Sequence, residues 1–289
     1  MIEIHFNRIY IIESLQPGDK LTGTDLYNDL LRYQFIKHPD FEAILKRPRD
    51  KNEWHQILDE IYADCITNRN APILHFEVHG SVDKDGLVLT SRELILWEEL
   101  YADLVKINIA IKNELFITMA VCHGNYLLRT AQINRPTAFR GMIGSFEEIY
   151  ECDLVIRYEE FYTELFESLD INKAYDRLLK ANHILPNSYK CYGAEYVFAR
   201  VCLDYAKTQL TEEALNKRAK LIVESGNHEQ DEMAIKNIIK ERSKEYFHKS
   251  YERFFMIDKY PKLADTVDFP NDFNAMKAWF QSFHKGITI

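Results

Sequence analysis

Short apolar runs alternate with longer amphipathic segments in the first quarter of the chain. Residues 6–13, 41–45 and 73–80 are short runs rich in β-branched and aromatic side chains, which is typical of buried strands. Between them, residues 24–36 and 50–65 carry apolar side chains at helical spacing. Strands that alternate with helices in this way predict a parallel sheet with right-handed crossover connections.

Polar residues at the starts of these amphipathic segments predict where the helices begin. Thr24 or Asp25 is expected to cap the first helix, and Asp50, which has a glutamate three residues later, to cap the second. Ser91 is expected to cap a long, largely apolar helix that runs to about Asn113. Between the strand at 73–80 and this helix, an Asp-Gly pair predicts a tight turn and a small hairpin.

The rest of the chain divides into a region with strands and a region without them. The predicted elements up to residue 202 are strands at 115–124 and 138–146, helices at 151–168 and 171–182, and a strand or strand pair at 190–202. From Thr211 onward the pattern is helical and strongly charged. We therefore predict an α/β domain over residues 1–210 and an α-helical C-terminal extension over residues 211–289.

Composition and charge narrow the classes of partner. The 46% hydrophobic content predicts a large packed core. The net charge is −9, all of it in residues 1–210, and no run rich in Lys or Arg interrupts the chain. This argues against nucleic acid or an anionic membrane as the main partner and suits a basic peptide better.

The termini and the cysteines indicate the cellular compartment. The apolar run near the N-terminus lacks a basic flank and a small-residue cleavage site, so we interpret it as a first strand. No segment reaches the length of a membrane span. The five cysteines are scattered and show neither a CxxC pair nor Cys/His ligand spacing, which argues against a disulfide framework and a zinc site. We expect a reduced, cytoplasmic protein.

Two of the predicted strands end on side chains that can do chemistry together. The run at 73–80 ends in His79 and Gly80, and the run at 115–124 ends with Cys122 close to its tip. In parallel sheets, reacting groups collect at the edge formed by the carboxyl ends of the strands. A thiol attacks a carbonyl group as the thiolate, so it needs a neighbouring base. Cys122 and His79 are the candidate nucleophile and base.

A purely structural explanation exists for the same residues. Cys122 would then be a small core side chain, and His79 a hydrogen-bonded histidine at a strand end. Glycine follows each residue closely and frees the backbone there, which favours a functional role. His75 should lie about 13 Å further back along its strand, and His123 should point to the opposite side from Cys122. We predict that both of these histidines are structural.

Three segments in order resemble the caspase-like cysteine peptidases, and among them the bacterial CHAT branch related to separase. They read HFEVHGS, ITMAVCHG and AFRGMIGSFEEIYECDLVIRYEEFYTELF. In that family a histidine ends one strand as His-Gly, a cysteine ends the next, and a later strand contains Gly-Ser before an acidic residue and a helix. Here residues 142–146 and Glu147 occupy the last position. The resemblance covers about residues 70–205 and leaves the C-terminal helices unexplained.

This resemblance implies a fold and a set of roles. The fold is an α/β, caspase-like, mostly parallel sheet with flanking helices. His79 would be the general base and acid, Cys122 the nucleophile, and the backbone N–H groups of Gly80 and Cys122 the oxyanion hole. Ser145 and Glu147 would border the substrate pocket, where the family's usual tryptophan is absent. No metal ion or organic cofactor is implied.

The expected function is that of a cysteine endopeptidase which makes limited cuts in a protein partner through a Cys-His dyad. Members of the family act in this way in bacterial defence and regulatory circuits, so the partners implied are a protein or peptide substrate and a regulatory protein. The alternative is a catalytically silent scaffold that keeps the fold for protein binding. Intact His79 and Cys122 favour the peptidase.

An acidic cluster follows the strand that should border the substrate pocket. It consists of Glu147, Glu148, Glu151 and Asp153. These carboxylates suit the N-terminus of a helix, where the helix dipole favours negative charge. The alternative is that one of them lines the pocket and selects Lys or Arg on the amino side of the cut.

An aromatic series in the C-terminal extension repeats at intervals of three and four residues. Its members are Tyr246, Phe247, Tyr251, Phe254, Phe255 and Tyr260. Such a stripe covers a core in most helices. The alternative is that part of it forms a surface for docking a partner or for gating the peptidase.

Overall fold

The computed structural model describes residues 2–182, 185–225, 231–267, 269–270 and 272–285. The chain forms two compact units, the first composed of Met1–Thr130 and Thr137–Gly193 and the second of Ala131–Pro136 and Ala194–Ile289. The last division between the units thus falls after Gly193, whereas the sequence suggested a boundary near residue 210. Residues 226–230, 268, 271 and 286–289 of the predicted extension lie outside the described residues.

The first unit is built on one sheet with a small hairpin attached. Its strands are β1 (Arg8–Ser14), β2 (Glu42–Lys46), β3 (Pro72–Gly80), β4 (Gly86–Val88), β5 (Leu94–Leu96), β6 (Phe116–Ala120), β7 (Gly141–Ser145) and β8 (Tyr189–Gly193). The main order is β2-β1-β3-β6-β7-β8, and β4 pairs with both β3 and β5. The first five strands of that order are parallel, and β8 is antiparallel to β7.

Helices cover both faces of this sheet. They are α1 (Thr22–Asp29), α2 (Lys51–Asn68), α3 (Trp97–Ala110), α4 (Glu151–Ser168) and α5 (Ile171–Lys180). α1 packs on α4 and α4 on α5, whereas α2 packs on α3. The predicted α/β fold with a mostly parallel sheet and flanking helices is confirmed, and it is consistent with a caspase-like fold.

Alternate residues of β3 show which helices cover which face. The ring of His75 packs against Tyr162 of α4, with 5.5 Å between ring centroids. The next residue, Phe76, stacks on Trp54 of α2 at 5.6 Å. Since side chains alternate along a strand, odd-numbered residues of β3 face α1 and α4, and even-numbered residues face α2.

The helix starts were predicted with mixed success. Asp50 caps α2 as expected, because its carboxylate accepts a hydrogen bond from the backbone N–H of Glu53 at 2.9 Å. The prediction that Thr24 or Asp25 caps α1 is wrong, since α1 begins two residues before Thr24. Thr24 instead donates its hydroxyl and its backbone N–H to the buried carboxylate of Glu13. Its side chain is therefore used to attach α1 to the sheet.

The predicted cap at Ser91 is also wrong, although the hairpin before it is confirmed. Residues 94–96 form β5, so α3 cannot begin before Trp97, and it ends at Ala110 rather than at Asn113. The hydroxyl of Ser91 donates to Glu93 at 2.8 Å. The hairpin therefore includes apolar residues that the sequence analysis had assigned to the helix.

The strand predicted at 190–202 is correct only at its beginning. β8 ends at Gly193, and α6 (Ala194–Gln209) starts at the next residue. Val197, Phe198 and Cys202 are buried. Their spacing places them on one side of a helix. The aromatic content of this segment therefore serves a helical core rather than a second strand.

The second unit is helical in its described residues. After α6 it contains α7 (Glu212–Glu224), α8 (Glu232–Phe254) and α9 (Phe273–Lys285). None of the helices in the described part of the chain combines the length and the apolar character needed to span a membrane.

The aromatic series of the second unit mainly covers a core. Phe247, Tyr251, Phe254 and Phe255 are buried, and their ring centroids lie within 6 Å of that of Phe198. Tyr246 is the member with substantial exposure, at 37%. Most of the stripe is therefore not available as a docking surface.

Candidate active site

The register of the sheet brings the tips of β3 and β6 together. β3 and β6 are parallel neighbours, and Glu77 is paired with Ala120. Two residues beyond this pair, His79 still lies in β3 and Cys122 lies in the turn directly after β6. Residues two apart on a strand project to the same face. Both side chains therefore lie at the carboxyl edge of the sheet, on the face covered by α1 and α4.

Gly80 allows the two tips to touch through their backbones. A β-carbon at this position would lie 1.8 Å from the carbonyl oxygen of Cys122, which is far inside van der Waals contact. Only glycine fits such a close approach. The glycine that follows His79 is thus required by the close contact between Gly80 and the backbone of Cys122.

His79 has an acidic partner that the sequence analysis did not identify. Its Nε2 lies 2.7 Å from Oδ2 of Asp19, in the loop between β1 and α1. The same carboxylate accepts a hydrogen bond from the backbone N–H of Gln16 at 2.7 Å, in a turn where Gly18 has a φ of 100°. The hydrogen bond from His79 is the main cause that lowers the pKa of Asp19. An ionised carboxylate only accepts, so Nε2 carries the proton and Nδ1 is the free ring nitrogen.

The order of the strands is the information that would have identified Asp19. The segment after β1 reads QPGDKLTGTD, and its turn-forming residues indicate only a loop before a helix. β1 is the direct neighbour of β3, so this loop begins at the edge where His79 lies. An acidic residue there was a candidate partner once the strand order was known.

The thiol of Cys122 is partly exposed and rests against the loop that leads into α4. Its Sγ lies 3.3 Å from the backbone nitrogen of Ile149, which donates to it, and 3.8 Å from the carbonyl oxygen of Ile149. The next residue, His123, donates its backbone N–H to Glu147 O at 3.1 Å, and its Nδ1 lies 2.7 Å from Phe146 O. His123 therefore ties the loop after β6 to the loop after β7, and its side chain contacts the same loop as Cys122.

The other four thiols either have a raised pKa or lie away from His79. Burial raises the pKa of Cys65 and Cys191 to about 12, and it also raises the pKa of Cys202. Cys152 is exposed in the first turn of α4. Cys152 is thus the most exposed of the thiols outside the candidate site.

Two backbone N–H groups near the thiol are candidates for binding an oxyanion. Ser81 donates its N–H to Gly86 at 2.9 Å, so the adjacent pair of Gly80 and Leu87 is the kind that exchanges no hydrogen bonds. The N–H of Gly80 therefore points away from β4. The N–H of Cys122 makes no backbone hydrogen bond within the described residues.

The two other predicted substrate-binding residues differ in accessibility. Ser145 is buried, and its hydroxyl donates to Ser188 Oγ and accepts from the N–H of Glu147, both at 2.9 Å. Its side chain therefore supports the loop and offers a substrate no surface. Glu147 is exposed and lies in the loop after β7. Its carbonyl oxygen accepts the N–H of His123, the residue after Cys122.

The acidic cluster after β7 separates into two groups. Asp153 is buried and pairs with Arg157 at 2.7 Å within α4. Glu147, Glu148 and Glu151 are exposed, and α4 begins at Glu151. Asp153 is therefore a structural residue, and Glu151 occupies a first turn where the helix dipole favours a carboxylate.

No group of three or more His, Cys, Asp or Glu side chains in the described residues is arranged to hold a metal ion. A scan against models of known protein families found no match, and a search of curated proteins found no relative. The function of this chain is therefore inferred from the geometry and chemistry of its site.

Proposed function

We propose that this protein is a cysteine peptidase of the caspase-like type, related to the CHAT branch, in which Cys122 is the nucleophile and His79 the general base and acid. The observation that carries the proposal is the register of β3 and β6, which sets these two residues at adjacent strand tips on one face. Asp19 is a positioning residue, because it orients His79 through Nε2.

The proposed reaction has two halves, formation of a thioester on Cys122 and its hydrolysis, and His79 acts in both. Nδ1 of His79 takes the proton from the Cys122 thiol, and the thiolate attacks the carbonyl carbon of the scissile peptide bond. The carbonyl oxygen becomes negative and is stabilised by the N–H groups of Gly80 and Cys122. The C–N bond then breaks and His79 gives its proton to the leaving amine. Water, activated by His79, hydrolyses the resulting thioester and releases Cys122.

The substrate that we propose is a protein partner cut at a limited number of sites, with a regulatory protein controlling the reaction. The exposure of His79 and the partial exposure of Cys122 support this, because a substrate chain can reach both side chains. All five cysteines are free, which suits a reducing compartment such as the cytoplasm.

Asp19→Asn should lower the rate of peptide cleavage by about tenfold, since the neutral amide orients His79 but does not stabilise its charged form. The hydrogen bond holds the pKa of Asp19 below its ordinary value. The carboxylate effect is therefore present at neutral pH and is lost as the pH falls through that lowered pKa. The rate ratio of wild type to variant should therefore shrink as the pH falls through the lowered pKa of Asp19.

Asp83→Asn is the matched control, because Asp83 is an exposed carboxylate in the turn between β3 and β4. It should cleave peptides at the wild-type rate across the same pH range. An Asp19→Asn rate equal to that of the control, or a ratio that does not change with pH, would remove Asp19 from the proposed mechanism.

A further inference from the structure

The first turn of α1 rests on two buried carboxylates that lie side by side in the sheet. Glu13 of β1 is paired with Glu77 of β3, and the two residues are 3% and 1% exposed. Glu77 accepts a hydrogen bond from Oγ1 of Thr22 at 2.7 Å. Glu13 accepts hydrogen bonds from the backbone N–H of Thr24 at 2.8 Å and from its hydroxyl at 2.5 Å. The sheet thus binds the start of α1, where the helix dipole favours negative charge.

Each of these carboxylates has a second partner that fixes its position. Nε of Arg47 donates to Glu13 at 3.0 Å. Nε2 of His75 lies 3.0 Å from the oxygen of Glu77 that does not bind Thr22. His75 is itself fully buried. Because both carboxylates are held from two sides, they provide α1 with acceptors at fixed places.

Gly23 brings α1 close enough to reach these acceptors. A β-carbon at this position would lie 2.7 Å from Cγ of Glu77 and 2.9 Å from Cγ2 of Ile11. The helix begins after Leu21, whose side chain has no polar group that could cap it. The position of the start of α1 is therefore set by the sheet and not by a cap in its own sequence.

The loop that leads into α1 carries the acid that orients His79. Asp19 precedes Thr22 by three residues, and its Oδ2 lies 2.7 Å from Nε2 of His79. The other end of the loop is attached as well, because Nε2 of Gln16 donates to the carbonyl oxygen of Leu89 at 2.7 Å. Asp19 therefore lies in a short segment whose two ends are both fixed.

Given the proposed peptidase function, we propose that the buried pair Glu13 and Glu77 positions Asp19 against His79 by holding the start of α1. Hydrogen bonds depend on direction as well as on distance, so they fix the place of a helix more narrowly than apolar contacts do. A shift of α1 along the sheet would carry Asp19 away from His79. The two glutamates and their partners Thr22 and Thr24 are positioning residues, since they act on the base through Asp19.

The first test removes one of these hydrogen bonds. Thr22→Val keeps the shape of the side chain and loses the donor, and it should lower the rate of peptide cleavage by about fivefold because it displaces Asp19 without removing it. Thr22→Ser keeps the hydroxyl and should restore most of the rate. Thr137→Val is the matched control, because Thr137 is 4% exposed and its hydroxyl donates to Phe139 O at 2.8 Å, ahead of β7. It should cleave at the wild-type rate.

A double variant separates positioning from a general loss of stability. If Thr22 acts through Asp19, Thr22→Val/Asp19→Asn should cleave within about twofold of Asp19→Asn alone. Losses that multiply, or a Thr22→Val rate equal to that of Thr137→Val, would overturn the inference. Thr24→Val removes the hydroxyl that binds Glu13 and should show the same coupling, so it provides the test if Thr22→Val does not fold.

The second test does not depend on cleavage. The hydrogen bond from His79 is the main cause that lowers the pKa of Asp19. In the Cys122→Ala protein with isotope-labelled aspartate, the carboxyl resonance of Asp19 should titrate below its ordinary pKa. Adding Thr22→Val should raise this pKa towards the ordinary value, and adding Thr137→Val should leave it lowered.

The two tests together distinguish this inference from the peptidase proposal. A wild type that cleaves peptides, with an Asp19 pKa that Thr22→Val does not change, would overturn the positioning role and leave the peptidase standing. A wild type that neither cleaves peptides nor reacts at Cys122 with a peptide acyloxymethyl ketone would overturn the peptidase. The titration would in that case still show whether α1 holds Asp19 against His79.

Discussion

Cys122→Ala should reduce peptide cleavage by about 10⁴-fold or more, because no other group can form the thioester intermediate. The melting temperature should change little, since Cys122 is only partly buried and the substitution removes a single atom at a strand tip. Cleavage of a peptide library by purified protein, followed by mass spectrometry, measures the first quantity, and calorimetry measures the second.

Cys152→Ala is the control for this experiment, because Cys152 is the most exposed thiol outside the proposed site. It should cleave at the wild-type rate. His79→Ala should lose cleavage to a similar extent as Cys122→Ala. Full activity in either dyad variant would refute the assignment, whereas a wild-type protein that is never labelled at Cys122 but retains a binding partner would be the silent scaffold.

Arg157→Met should lower the free energy of unfolding by about 3–5 kcal/mol, the cost of leaving a buried charge without its partner. Arg157 is 0% exposed, and its Nε donates to both oxygens of Asp153, at 2.7 and 2.8 Å. Its Nη1 and Nη2 donate to the carbonyl oxygens of Leu178, at 2.8 Å, and Leu185, at 3.3 Å. Methionine keeps much of the volume but satisfies none of these acceptors, and urea denaturation measures the loss.

Arg177→Met provides the comparison for that loss. Arg177 pairs with Glu160, Glu164 and Glu167 at the surface of α4. Such partly exposed ion pairs contribute about 0–1 kcal/mol, so this variant should be nearly as stable as the wild type. Similar losses for the two variants would show that the Arg157 network has no special role.

The strands that carry His79 and Cys122 were predictable because they are buried on both faces. A continuous apolar run that ends abruptly in polar residues indicates a central parallel strand, and both strands end within two residues of the reactive side chain. Asp19 was not predictable in this way. It lies in a loop, and its relation to His79 depends on β1 being the neighbour of β3, which periodicity does not encode.

Apolar segments near the end of the first unit were harder to interpret. The residues from Lys190 to Cys202 are rich in aromatic and apolar side chains throughout, so strand and helix are both compatible with the pattern. The pairing of Tyr189–Gly193 with β7 and the packing of Val197 and Phe198 decide between them. Both are contacts between residues distant in sequence, which a local pattern cannot reveal.

The division of the chain into units has a consequence for inheritance and gene structure. Residues 131–136 belong to the second unit although residues on both sides belong to the first, and Arg253 of α8 donates to the carbonyl oxygen of Asn134 at 3.4 Å. A gene that stopped after Gly193 would encode this loop without the helices it packs with. The helical unit therefore includes a loop from inside the sequence of the first unit, and we expect the two units to be inherited together.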